Sequence, residues 1–181
     1  MTAMEVGCKS DIPLSIQKNG HLRYTLRVSS LRIIYASTSG HTEYVVGELQ
    51  KFLLEKAKNL SVEMTRVEKA TPDDLLKDDV LLLASGTWNT GGPEGQLNPH
   101  LHAFLNGPAK AVDLKGKMVA IIALGDDRYF YTCRAGEHLR NFIQSHGGKV
   151  LGEALLVVNE PYGQEERIHR WGEKLVNSLI R

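Results

Sequence analysis

Hydrophobic positions along the chain fall into short unbroken blocks separated by stretches with helical spacing. Four blocks stand out: LRIIYA (31–36), DVLLLAS (79–85), KMVAIIAL (117–124) and KVLGEALLVV (149–158). Runs this short and apolar suit strands buried on both faces of a parallel sheet. A fifth segment, SVEMTRV (61–67), alternates with period two and predicts a strand with one wetter face. Between the blocks, Val45, Val46, Leu49, Phe52 and Leu53 recur at helical spacing and predict a helix from Thr42 to about Lys58. Further helices are expected over Leu97–Leu105, over Cys133–His146 (ended by Gly147-Gly148) and over Gln164–Ile180. The last presents Ile168, Trp171, Leu175, Val176 and Leu179 on one face. Thr71-Pro72-Asp73-Asp74 reads as a helix start: a cap, proline at the first position, then acids near the positive end of the dipole.

Strands alternating with helices through short loops imply right-handed crossovers and a sheet covered on both sides. The expected fold is therefore α/β, a three-layer, doubly wound, five-stranded parallel sheet spanning residues 31–181. Residues 1–30 are polar and poorly periodic and contain Pro13 and Gly20. They read as an extension, either flexible or adding a short edge strand around His21–Val28. A chain of 181 residues fits one domain plus such an appendage, and is long enough to fold without staples.

Composition narrows the function. With 42% hydrophobic and 24% charged residues the chain is an ordinary globular one. No apolar run approaches the ~18 residues that a membrane span requires, and the first residues lack the apolar core of a secretory signal. Cys8 and Cys133 lie far apart with no pairing motif, so a reducing cytoplasm is the expected setting. A net charge of +1 argues against bulk nucleic-acid binding. The charge is uneven: residues 1–30 carry Lys9, Lys18, Arg23 and Arg27 against Glu5 and Asp11, leaving 18 basic and 19 acidic residues beyond.

Doubly wound sheets bind ligands beyond the carboxyl ends of their strands, at the point where the strand order reverses. Three loops there have unusual compositions. The first, Ser37-Thr38-Ser39-Gly40-His41-Thr42, offers hydroxyls and consecutive N–H groups leading into a helix N-terminus, an anion cradle. It has neither a G-K-[ST] sequence nor a GxGxxG turn, so it is neither a nucleoside-triphosphatase loop nor a dinucleotide turn. A phosphate monoester held by hydroxyls and amides fits; so does a plain turn and cap with no ligand. The second loop, Gly86-Thr87-Trp88-Asn89-Thr90-Gly91-Gly92, puts a tryptophan just past a buried strand, where it either stacks on a flat ligand or folds back onto the core. The third, Gly125-Asp126-Asp127-Arg128-Tyr129-Phe130-Tyr131-Thr132-Cys133, combines acids with aromatics. Its acids serve equally as helix-start residues. Cys133, with no base motif nearby, reads as a buried residue rather than a nucleophile.

In that order the three loops resemble those of flavodoxins. YASTSGHTEYVV is similar to the flavodoxin phosphate loop T-x-T-G-x-T, with Ser37 and Ser39 where threonine is frequent. T-W-N-x-G resembles the loop over the inner face of the isoalloxazine ring, and G-D-x-x-Y the loop whose tyrosine covers the outer face. The resemblance covers 31–181 and implies FMN as cofactor. Ser37, Thr38, Ser39, Gly40, His41 and Thr42 would hold the phosphate. Thr87, Trp88, Asn89, Thr90 and Gly91 would lie on one ring face, and Gly125, Asp126, Asp127, Tyr129, Tyr131 and Cys133 would come from the third loop. The peptide between Asn89 and Thr90 is the one whose carbonyl would accept a hydrogen bond from the protonated ring N5. Asp126 and Asp127 would disfavour an anionic, fully reduced ring.

The resemblance implies a short-chain flavodoxin with an N-terminal extension. Such a protein is a monomeric one-electron carrier that passes low-potential electrons between redox partner proteins through a stabilised neutral semiquinone. Near-neutral charge and GGPEG (91–95) depart from the acidic character usual in that family. Two other classes remain: a flavodoxin-like NAD(P)H:quinone oxidoreductase, and a non-redox binding module on the same fold.

Overall fold

The computed structural model of the protein describes residues 28–89 and 94–179. The expected extension 1–30, with its edge strand around His21–Val28, lies outside them except for residues 28–30. Thr90 and Gly91 lie outside them too. In chain order the elements are β1 (Ser30–Ala36), α1 (His41–Lys56), β2 (Ser61–Arg66), β3 (Val80–Trp88), β4 (Gln96–Leu97), α2 (Pro99–Asn106), β5 (Met118–Gly125), α3 (Ala135–Ser145), β6 (Lys149–Val150), β7 (Leu155–Val158) and α4 (Glu165–Leu179). The sheet runs β2-β1-β3-β5, with β6 and β7 one after the other along the far edge of β5. These pairings are all parallel; only the two-residue β4 runs antiparallel, against the end of β3.

The period of the strands explains the layers. Leu31, Ile33 and Tyr35, Val80, Leu82 and Ala84, and Ala120, Ile122 and Leu124 face one way and bury the apolar stripes of α1 and α4. The alternate set, with Ile34, Leu81, Leu83, Val119 and Ile121, meets α2 and α3 on the other face. Each fully buried leucine or isoleucine contributes on the order of 2 kcal/mol relative to exposure, so both layers are held mainly by this alternation. With β1 feeding α1 to one side and β3 feeding α2 to the other, the strand order reverses between β1 and β3.

Four expectations needed correction. The last strand is not continuous: Lys149 stands opposite Met118 but Leu155 opposite Ile122, so six residues advance against four. The surplus is taken up at Leu151–Ala154, where Gly152 adopts φ 65° and the Trp171 indole N–H donates to the Glu153 carbonyl at 2.8 Å. Thr71–Asp74 begins no α-helix. It forms a single 3₁₀ turn, Pro72–Leu75, closed by a reciprocal Thr71/Asp74 cap. Gly86–Trp88, expected as loop, continue β3, with Gly86 beside Leu124 of β5 and Thr87 and Trp88 paired with β4, while Leu97 belongs to β4 rather than to the helix. Finally, α3 starts at Ala135 instead of Cys133, because Cys133 has φ 57° and cannot be a helical residue.

Candidate functional site

The carboxyl ends of β1, β3 and β5 open into a cleft of about 850 Å³, well within the range of cofactor sites. Thr38, Ser39, His41 and Thr42 line one end; Gly86, Thr87, Trp88 and Asn89 one wall; Leu124, Gly125, Asp126, Asp127, Arg128, Tyr129 and Tyr131 the other. The three loops singled out from composition thus meet in one place.

The first loop is shaped for an anion. Gly40, at φ 90°, turns the chain into α1 in a left-handed conformation that only glycine adopts cheaply. Ser37 is buried beneath the loop, where its Oγ accepts from the N–H of Glu43 at 3.3 Å. Neither Ser37 nor Gly40 lines the cleft; both shape it from below. The N–H groups of residues 38–42 donate to no other described residue. Five consecutive unmet donors and the hydroxyls of Thr38, Ser39 and Thr42, at the positive end of a 16-residue helix, match the chemistry of a phosphate monoester.

Asn98 completes this loop and was not foreseen. Fully buried, it donates from Nδ2 to Thr38 Oγ1 at 2.9 Å, while its Oδ1 caps α2 by accepting from the His100 N–H at 3.1 Å. Thr38 Oγ1 is therefore the acceptor in this bond, and its hydroxyl proton is directed elsewhere. The Asn98-Pro99 pair was the available signal, since asparagine followed by proline is a helix cap.

Trp88 belongs to neither apolar cluster. It sits at the end of β3, with its indole close enough to Gly86 that a Cβ there would lie 3.2 Å from Nε1. The side chain of Asn89 accepts the Gly95 N–H at 2.8 Å and closes the loop between them. Across the cleft Tyr129 is 53% exposed and Phe130 86% exposed. Tyr131 is held more firmly, with the Arg134 guanidinium 4.1 Å from its ring centre and Phe130 edge-on at 4.9 Å. The Thr132 hydroxyl lies 2.9 Å from the Asp126 carbonyl and 3.0 Å from that of Tyr129, fixing the turn.

Cys133 does not line the cleft. It lies under Gly125, 6% exposed, with its Sγ 3.5 Å from the Val157 carbonyl, and burial pushes its thiol up to about 11. The two acids of the third loop also differ from expectation. Arg128 grips Asp126 with its Nε 2.9 and 3.0 Å from the two carboxylate oxygens and with Nη2 closer still. That ion pair, with the backbone N–H of Arg128, holds the Asp126 carboxyl down at about 2. Asp126 is thus charged but locally neutralised, and Asp127 is the acid left to act on the cleft.

Asn159, at the end of β7, is the second residue that sequence reading missed. In a left-handed conformation (φ 65°), it donates through its N–H to the Gly125 carbonyl at 2.8 Å and through Nδ2 to Asp127 Oδ2 at 3.0 Å, and it accepts the Asp127 N–H at 3.1 Å. Next to it Glu160 lies 3.3 Å from His41 Nε2, and Tyr162 packs on His41 and Tyr44. A hydrogen bond from Tyr44 to Glu165 raises the Tyr44 hydroxyl to about 12. This fourth loop ties the phosphate end of the cleft to its aromatic end.

Residues 33–171 match the sequence profile of the flavodoxin family. The chain belongs to that family. A flavodoxin of Maridesulfovibrio salexigens is 28% identical over 153 residues, covering 84% of this chain and all of the relative. A probable flavodoxin 2 of Bacillus subtilis is 29% identical, covering 83% and 91%. Among solved structures, oxidised flavodoxin 1 from Bacillus cereus superposes with a TM-score of 0.73 at 25% identity, over 82% of this chain and 98% of that one. This flavodoxin is accordingly an FMN-binding electron carrier, an electron-transfer flavoprotein whose partners are other redox proteins. Among the described residues no helix is long and apolar enough to cross a membrane.

Proposed function

We propose that the cleft holds FMN with its phosphate in the 37–42 loop and its ring between Trp88 and Tyr129. The observation that carries this reading is the run of N–H donors at residues 38–42 that have no acceptor among the described residues, set among three hydroxyls and with His41 the one basic side chain among the described residues lining that end of the cleft. Bound FMN would supply reversible one- and two-electron chemistry; the chain's own residues bind, orient and shield it. Thr38, Ser39 and Thr42 donate to the phosphate. Trp88 and Tyr129 cover the two faces and exclude water, with Tyr129 leaving an open edge through which electrons reach a partner. The Asn89–Gly95 bond fixes Asn89 at the end of β3, beside the ring. Asp127 supplies the negative charge that resists adding a second electron, with Asp126 contributing less because Arg128 offsets it. Thr90 and Gly91 complete this set.

The same reading treats residues 31–181 as the FMN domain and 1–30 as an accessory extension. It assigns a monomer working in the cytoplasm, a compartment that keeps Cys8 and Cys133 reduced. The test is paired titration of flavin-free protein with FMN and riboflavin, followed by flavin fluorescence. FMN should bind far more tightly, and emission should be quenched by the stacked aromatics. Equal affinity for both flavins would remove the phosphate assignment, and bright emission from bound FMN would remove the sandwich.

A further inference from the structure

The phosphate loop lacks a strong counter-charge of its own, yet a guanidinium stands directly behind it. Arg66, the last residue of β2, donates from Nη2 to the Ser37 carbonyl at 2.6 Å and from Nη1 to Glu43 Oε2 at 3.1 Å. The other oxygen of Glu43 accepts the Tyr35 hydroxyl at 2.9 Å, and Glu68 lies 3.6 Å from Arg66 Nη2. Ser37 opens the loop and Glu43 follows it at once, its N–H bonded back to Ser37 Oγ. Arg66 therefore grips both ends of the loop. It does not line the cleft and was not among the candidate site residues of the sequence.

Two features of this arrangement bear on an anion. A carbonyl turned into the cleft would face the phosphate with a negative dipole; Arg66 holds that of Ser37 towards β2. Glu43 lies in the first turn of α1, where a carboxylate favours the helix but competes with a bound phosphate for the same positive end. The guanidinium offsets that carboxylate, with a planar fork that can serve a carbonyl and a carboxylate at once. Resting on the assignment of the phosphate to residues 37–42, we infer that Arg66 is a positioning residue. It makes the cleft select phosphorylated over unphosphorylated flavin by orienting the Ser37 carbonyl and offsetting the charge of Glu43, the carboxylate nearer the loop.

An electrostatic counterweight and a mere brace predict different signs. Full-length flavin-free protein and its variants would be titrated with FMN and with riboflavin, reading the ratio of the two affinities, with thermal melting to confirm folding. Arg66→Gln should lower FMN affinity about tenfold and leave riboflavin within about twofold, so the ratio falls. Glu43→Gln should move the ratio the other way, up by about threefold, because it removes the competing anion while Arg66 stays. Arg66→Lys keeps the charge without the fork and should retain most of the preference. Raising salt should shrink these differences. The inference is overturned if Arg66→Gln weakens both flavins equally or neither, or if Arg66→Gln and Glu43→Gln both lower the ratio. Should Arg66→Gln fail to fold, Glu43→Gln and Arg66→Lys carry the test alone. A wild-type ratio near one would instead remove the phosphate assignment itself.

Discussion

At the amino ends of the strands, serines and aspartates bond to one another; at the carboxyl ends, the same residue types face an open cleft. Asp79 Oδ2 accepts the N–H and hydroxyl of both Ser29 and Ser30, at 2.7 to 3.2 Å. Arg32 is fixed on Asp78 at 2.6 Å, and the ammonium of Lys117 is spent on the carbonyls of Leu76, Lys77 and Asp78. Across the sheet, the N–H groups of residues 38–42 have no such partners among the described residues, and Tyr129 and Phe130 stand exposed. Polar side chains stand at both ends, so polarity alone does not mark the binding end. Unmet donors do. The amino end spends its hydrogen-bonding capacity on stability, while the carboxyl end keeps it for a ligand.

The largest expected effect breaks the binding end by sterics. A Cβ on Gly125 would lie 2.3 Å from the backbone nitrogen of Cys133, so Gly125→Ala must displace the third loop. The expected cost is roughly 3 kcal/mol in stability, with FMN affinity falling in parallel; urea melts and FMN titration check it. Unchanged binding would show that the third loop does not define the site.

Acid should break the amino end next. Asp74 is 8% exposed and accepts from Lys77 Nζ at 2.8 Å and from the N–H and hydroxyl of Thr71 at 2.7 and 2.8 Å. These partners, Lys77 foremost, hold its carboxyl at about 2, below its ordinary 3.8. Since the folded value is the lower one, the stabilisation is complete above pH 4 and disappears as pH falls from there towards 2. It is about 2 kcal/mol. Asp74→Asn should lose most of that amount at pH 7 and almost nothing at pH 2, measured as urea midpoints.

Asp79→Ala sharpens the comparison with a smaller effect. Losing the acceptor for Ser29 and Ser30 should cost about 1–2 kcal/mol of stability, with FMN affinity within twofold of wild type. A large loss of FMN would mean that the two ends are coupled through β1 and β3. The smallest effect expected is that of removing residues 1–27, which should leave stability and FMN binding unchanged. The cut belongs before Val28, which is 5% exposed in the core, and not at Ser30, because Ser29 and Ser30 are part of the clamp.

Much of this was legible in the chain. The central strands could be read because burial on both faces leaves unbroken apolar runs, and the three loops because hydroxyls, tryptophan and acids are unusual beyond strand ends. What escaped reading has a common cause. Arg66, Asn98 and Asn159 act on loops 29, 60 and 32 residues away, and only the strand order brings them there. The interruption at Leu151–Ala154 was hidden because Leu151 and Ala154 keep the run apolar while the backbone leaves the ladder. Cys133 had the composition of a helix start but a left-handed backbone, which the close passage of Gly125 accompanies. The acids of the third loop were counted as charge because pairing with Arg128, two residues on, depends on side-chain direction rather than spacing.

The clamp on Asp79 also gives the molecule a handle. Because Ser29 and Ser30 are fastened to the start of β3, Val28 lies at the floor of the sheet, while the cleft opens at its roof. One strand length, roughly 20 Å for the seven residues of β1, separates the two. A bead, an electrode coating or a neighbouring domain joined directly to Val28, in a chain shortened by residues 1–27, would sit at that floor, opposite the exposed Tyr129 and Phe130 and clear of whatever exchanges electrons with them.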